Sequence, residues 1–139
     1  MKFPQNKAVA GQQFLKPPLT TKQKGDGAED LALAHLQQAG LRLIVRNYRM
    51  PGRGGCEIDL IMASPDGTCV FVEVRQRRAA SHGGAAASVS AAKQRRIVLA
   101  ANHYLSRQHH VPPCRFDVVA VDAGTIDWLM AAFDATEAR

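Results

Sequence analysis

Polar and apolar positions alternate with a period of two along 57–63 and again along 68–76, the pattern of strands with two different faces. In the first run Ile58, Leu60 and Met62 point one way, and Glu57, Asp59, Ile61 and Ala63 the other. In the second, Val70, Val72 and Val74 share one face, and Cys69, Phe71, Glu73 and Arg75 share the opposite one. Pro65-Asp66-Gly67 between them is a strong turn signal, so the two runs predict an antiparallel hairpin. A strand over 41–50 precedes them. It is broken by Pro51-Gly52 and followed by a tight, glycine-rich connection that carries Arg53. Residues 114–121 and 125–130 read as two more strands with a turn at Gly124.

Two segments carry a helical period instead. Asp26 followed by Glu29 matches a capping box, 27–39 is rich in helix formers, and Gly40 is placed to end the helix. Ala28, Ala32 and Leu36 form its apolar line, with Leu33 beside it and Glu29 at the border. The second helix is capped by Ser88 or Ser90 and runs to about 108, ahead of Pro112-Pro113; Ile97, Ala101, Tyr104 and Leu105 mark its packed side. Lys93 and Arg96, three apart, are expected on a common exposed face. Residues 77–89 read as a polar, glycine-containing loop. Residues 1–24 show no sustained period and read as a flexible basic tail, and 135–139 as a short C-terminal tail. The order α-β-β-β-α-β-β predicts one α/β domain over 25–134, a mixed β-sheet flanked by helices.

The formal charge of +6 is unevenly spread. Residues 1–41 carry five Lys and three acidic groups, 42–107 eleven Lys or Arg against four, and 108–139 two Arg against five, giving +2, +7 and −3. Positive charge is therefore concentrated around the hairpin, which suits a polyanionic partner as well as a merely soluble surface. The three cysteines lie in apparent strands without a C-x-x-C, which disfavours a zinc cluster or a disulfide scaffold. No apolar run approaches the roughly 20 residues of a membrane span, and the N-terminus lacks a signal-peptide pattern. The expectation is a cytoplasmic protein with no membrane association.

Asp59 and Glu73 are carboxylates set among apolar neighbours on paired strands, so both can face one small volume. Burying a carboxylate costs several kcal/mol unless it is paired, hydrogen-bonded or bound to a cation, and a second like charge raises that cost. A divalent metal removes the difficulty, and Mg²⁺ often uses only one or two carboxylates. A buried ion pair with Arg75, Arg77 or Arg115 is the competing explanation. Arg53, Arg77, Arg78, Lys93, Arg95 and Arg96 are candidate phosphate contacts, or solubility residues. Asp117 reads as a structural partner of Arg115 or another Arg of the sheet. Tyr48 suits packing better than base stacking. No G-x-x-x-x-G-K-[ST] loop is present, and none of the five histidines has metal spacing.

The segments 25–36 (G-x-x-A-E-D-x-A-x-x-x-L), R-N-Y-R at 46–49, G-C-E-I-D-L-I at 55–61, V-F-V-E-V-R at 70–75 and R-F-D-V-V at 115–119, with the Lys93 region and Ala132-Phe133, closely resemble the YraN-type family. That family is similar to the PD-(D/E)xK nucleases and to archaeal-type Holliday-junction resolvases. The resemblance implies a restriction-endonuclease-like core and a Mg²⁺ or Mn²⁺ site acting on nucleic acid, DNA above RNA, with branched DNA as one candidate. It assigns Asp59 and Glu73 to the two acidic motif positions. Glu29 stands at a helix position that joins the metal site, although it also suits a plain capping role. Glu57 is an additional catalytic candidate. Arg75 stands where the nucleases carry lysine, and arginine stays charged and does not easily act as a base. A non-catalytic nucleic-acid binding module and a structural interaction protein of the same fold remain open. The resemblance also admits a homodimer, which no segment compels.

Overall fold

The computed structural model of the chain describes residues 21–76 and 89–135, with side chains from residue 27 onward. In chain order the elements are α1 (Thr21–Gln38), β1 (Arg42–Arg49), β2 (Glu57–Ala63), β3 (Cys69–Gln76), α2 (Ala91–Leu105), β4 (Cys114–Asp122) and β5 (Thr125–Phe133).

The alternating apolar stretches pair into a five-stranded sheet in sequence order. β1, β2 and β3 form an antiparallel meander, β3 and β4 run parallel, and β4 and β5 antiparallel. The β2–β3 turn is closed locally: Gly67 sits at φ 90° and Asp66 accepts a hydrogen bond from the Thr68 N–H at 3.1 Å. A parallel neighbour cannot be reached by a tight turn, and α2 lies in the crossover between β3 and β4. Ala28, Ala32 and Leu36 of α1 pack on Leu60, Val72 and Val119. Ile97, Ala100 and Ala101 of α2 pack on Ile61, Phe71 and Val118. Phe71 and Val72 are consecutive strand residues and face opposite ways. The two helices therefore cover opposite faces of the sheet, and the mixed sheet flanked by helices is as expected.

Three details differ from the sequence reading. α1 begins at Thr21, so Asp26 lies inside the helix and does not cap it. Gly25 and Gly27 each cost a helix only about 1 kcal/mol, and good helix formers precede them. Second, Ile58 packs with Ile61 on the α2 side, whereas Leu60 and Met62 pack on the α1 side. Strict alternation fails at Asp59. The neighbouring strand carries Asn47 at φ 56°, between the Arg46↔Leu60 and Tyr48↔Ile58 pairs, and a left-handed residue there turns the strand. Third, Cys114 is exposed and Cys56 precedes β2; only Cys69 is a buried strand cysteine. The second helix is capped by Ser90, whose Oγ accepts the Lys93 N–H at 3.1 Å.

Candidate functional site

The β2–β3 ladder ends at Leu60↔Val72. One residue further out, where β2 turns away, the Asp59 carboxylate replaces a strand carbonyl: its Oδ2 accepts the Val74 N–H at 2.8 Å. Glu73 lies beside it, opposite Val118 of β4 and on the α2 face, with only 6% of its surface exposed. The Asp59 and Glu73 carboxyl groups lie close enough for one to act on the other, so they meet in one volume as the hairpin pattern predicted. Burial first, then the neighbouring Asp59 carboxylate, push the Glu73 carboxyl up to about 8, against the opposing pull of Lys93 and Arg75.

Lys93 answers this pair from the first turn of α2. Its Nζ lies 3.6 Å from Glu73 Oε2, and its side chain is 23% exposed. It turns inward, whereas Arg96, three residues on, is exposed; the expected common face of Lys93 and Arg96 is not formed. Arg75 continues β3 two residues beyond Glu73, on the same face, near enough for its charge to act on it.

The remaining predicted residues divide. Glu29 faces Arg46, with Oε1 3.4 Å from Nε, while Asp30 approaches the same guanidinium at 2.7 Å. Arg46 pairs in register with Leu60 of the α1-side core. Glu57 meets Arg49 at 3.4 Å, both well exposed. Among the described residues no group of three or more His, Cys, Asp or Glu side chains is arranged to hold a metal ion. Arg77 and Arg78 lie outside the described residues. Arg53 sits in the 51–55 turn and, with Arg95 and Arg96, lines a cleft of about 360 Å³ against α2. The meeting of Lys93 with Glu73 was not legible in the sequence. Its only signal was a cluster of basic residues at the start of a helix.

Asp117 is fully buried and structural. It accepts from Arg115 Nε at 3.1 and 3.2 Å, from Trp128 Nε1 at 3.0 Å and from the Ala131 N–H at 2.9 Å. Tyr48 is a packing residue: its ring meets Tyr104 edge-on and its hydroxyl bonds His103.

A mixed sheet covered on both faces, with two carboxylates meeting where the central hairpin opens, defines an α/β domain of the restriction-endonuclease-like arrangement. The family described as Uncharacterised protein family UPF0102 matches residues 28–121, and the chain belongs to this YraN-type family. A UPF0102 protein of Albidiferax ferrireducens is 64% identical over 135 residues, covering 97% of this chain and 99% of the relative. One from Paracidovorax citrulli is 60% identical over 129 residues, covering 93% and 96%. Another from Acidovorax sp. is 59% identical over 119 residues, covering 86% and 90%. Among the described residues no helix is long and apolar enough to cross a membrane.

Proposed function

We propose that this protein acts on nucleic acid, DNA in the first place, through a divalent-cation site at Asp59 and Glu73, and that its reaction is phosphodiester hydrolysis. The observation that carries this reading is the pair itself. A carboxyl group 6% exposed is held against a second carboxylate, an arrangement that raises its pKa to about 8. A cation relieves that cost. Two hard oxygen donors suit Mg²⁺ or Mn²⁺, which complete their shells with water and phosphate oxygens.

A cation bound there would polarise a phosphoryl oxygen and lower the pKa of a water. The chain's own groups have separate tasks. The Val74 N–H fixes the Asp59 carboxylate at 2.8 Å. Lys93, 3.6 Å from Glu73, holds that carboxylate and has two further N–H donors for a phosphoryl oxygen. It supplies from α2 the ammonium that the nuclease resemblance places on the strand, where this chain has Arg75. Arg75 stays charged and serves as a phosphate ligand rather than a base.

The test is incubation of the full chain with linear, flapped and four-way DNA, and with RNA, in Mg²⁺, Mn²⁺ or chelator. Cleavage is expected only with cation, and is expected to vanish in Asp59→Asn and Glu73→Gln. Products that form equally in chelator would refute the cation site. Binding without cleavage of any substrate would leave a non-catalytic binding module.

A further inference from the structure

We propose that the cleft between the 51–55 turn and α2 is a phosphate subsite distinct from the carboxylate pair. Its location relative to the reacting phosphate rests on the function proposed above; its ligand chemistry does not. Arg53, Arg95 and Arg96 line one cleft of about 360 Å³ with no carboxylate in its lining. Arg46, Arg49 and Arg115 of the sheet each hold an acidic side chain. Among the described residues, none of the three cleft arginines makes an ion pair. Three like charges kept together without a counter-charge repel one another, and a phosphate placed among them reverses the sign of that energy.

The turn is shaped to allow this. Gly52 and Gly55 take φ of 76° and 81°, left-handed values that favour glycine. A Cβ on Gly55 would meet Arg96 Cδ at 3.5 Å, so the Arg96 side chain lies directly along the turn. Buried Cys56 and half-buried Leu99 form an apolar floor, which weakens solvent screening of the guanidinium charges. Guanidinium forks match phosphate oxygens two at a time.

Arg96 follows Lys93 by three residues, about 4.5 Å along the helix axis, so the cleft and the carboxylate pair lie against the same first turns of α2. A nucleic-acid strand held at the pair would pass the cleft.

The experiment uses full-length parent, Arg53→Gln, Arg95→Gln and Arg96→Gln, with Arg107→Gln as a control for a lost surface charge beyond the far end of α2. Binding of oligonucleotides with a 5′-hydroxyl or a 5′-phosphate is followed by anisotropy across a KCl series. Inorganic phosphate is titrated separately while the amide resonances of residues 53–56 and 92–96 are recorded. Each cleft variant is expected to weaken binding and to lower the slope of log affinity against log salt by about 1, with the control at parent values. Equal affinity for both 5′ ends identifies an internal phosphodiester as the ligand; dependence on the 5′-phosphate identifies a strand end, and the subsite stands either way. If the parent binds no oligonucleotide, yet phosphate shifts the cleft resonances and Arg95→Gln abolishes the shift, the subsite survives and the nucleic-acid reading falls. Cleft variants with parental slopes, or no response to phosphate or oligonucleotide, overturn the proposal.

Discussion

Asp117 and Glu73 occupy adjacent levels of the same two parallel strands, Asp117 opposite Val72 and Glu73 opposite Val118, and they face opposite sides of the sheet. Both are buried, at 0% and 6% exposure. Their surroundings differ in kind. Asp117 receives donors from one guanidinium, one indole and one backbone amide, all supplied by β4 and β5. Its carboxylate sits at the β4–β5 irregularity between Phe116 and Val118 and accepts the Ala131 N–H there. Glu73 faces another carboxylate, and the ammonium of Lys93 only partly offsets that. A buried carboxylate provided with donors belongs to the architecture. One held against its own kind carries a free-energy cost that a ligand can remove.

The largest effect tests the architectural side. Asp117→Ala leaves the Arg115 guanidinium and the Trp128 N–H unpaired, and is expected to cost about 3–5 kcal/mol in urea unfolding. The loss should be the same with and without Mg²⁺ or Mn²⁺. A loss under about 1 kcal/mol would break the contrast.

The next effect concerns pH. Between the ordinary carboxylate range near 4.5 and about 8, the folded chain keeps on Glu73 a proton that the unfolded chain has released. Native protons in excess of unfolded ones mean that stability falls as pH rises through this window. In chelator the fall between pH 5 and 8 should be roughly 2–4 kcal/mol. Glu73→Gln should flatten it and make the variant more stable than the parent at pH 8. An unchanged slope in the variant would show that Glu73 is not the group responsible.

Asp59→Asn should have a smaller effect on the cation-free protein, within about 1 kcal/mol, because an amide oxygen can still accept the Val74 N–H and like-charge repulsion is lost. The rise in melting temperature given by millimolar Mn²⁺ should disappear with it, since a ligand that binds only the folded state stabilises by mass action. A variant that keeps the full Mn²⁺ shift would sink the pair as a cation site. The smallest effect is that of Glu57→Gln, whose exposed pairing with Arg49 should be worth under about 0.5 kcal/mol and should leave the Mn²⁺ shift intact. A larger change in that shift would bring Glu57 into the site.

The hairpin and its carboxylates were readable because period-two alternation and Pro65-Asp66-Gly67 are local signals, and they brought Asp59 and Glu73 together correctly. The Asp117–Arg115 pairing was readable for the same reason, two residues apart on one strand face. The start of α1 was hidden because Asp26 and Glu29 imitate a cap within a helix that extends to Thr21. The inward turn of Lys93 was hidden for a different reason. Helical spacing places Lys93 and Arg96 on neighbouring positions, and only the docking of α2 over the end of β3 decides which of them reaches Glu73. The change of side at Asp59 lies opposite Asn47 of β1, a pairing that no window around β2 contained.

One consequence of the open end of the hairpin reaches into spectroscopy. The Val74 amide proton is bonded to a side-chain carboxylate rather than to a strand carbonyl. Its chemical shift and solvent exchange therefore follow the electron density on Asp59 Oδ2. A single backbone resonance thus becomes a built-in gauge of the site, moving when that carboxylate is protonated or ligated while its strand neighbours Phe71 and Val72 stay fixed.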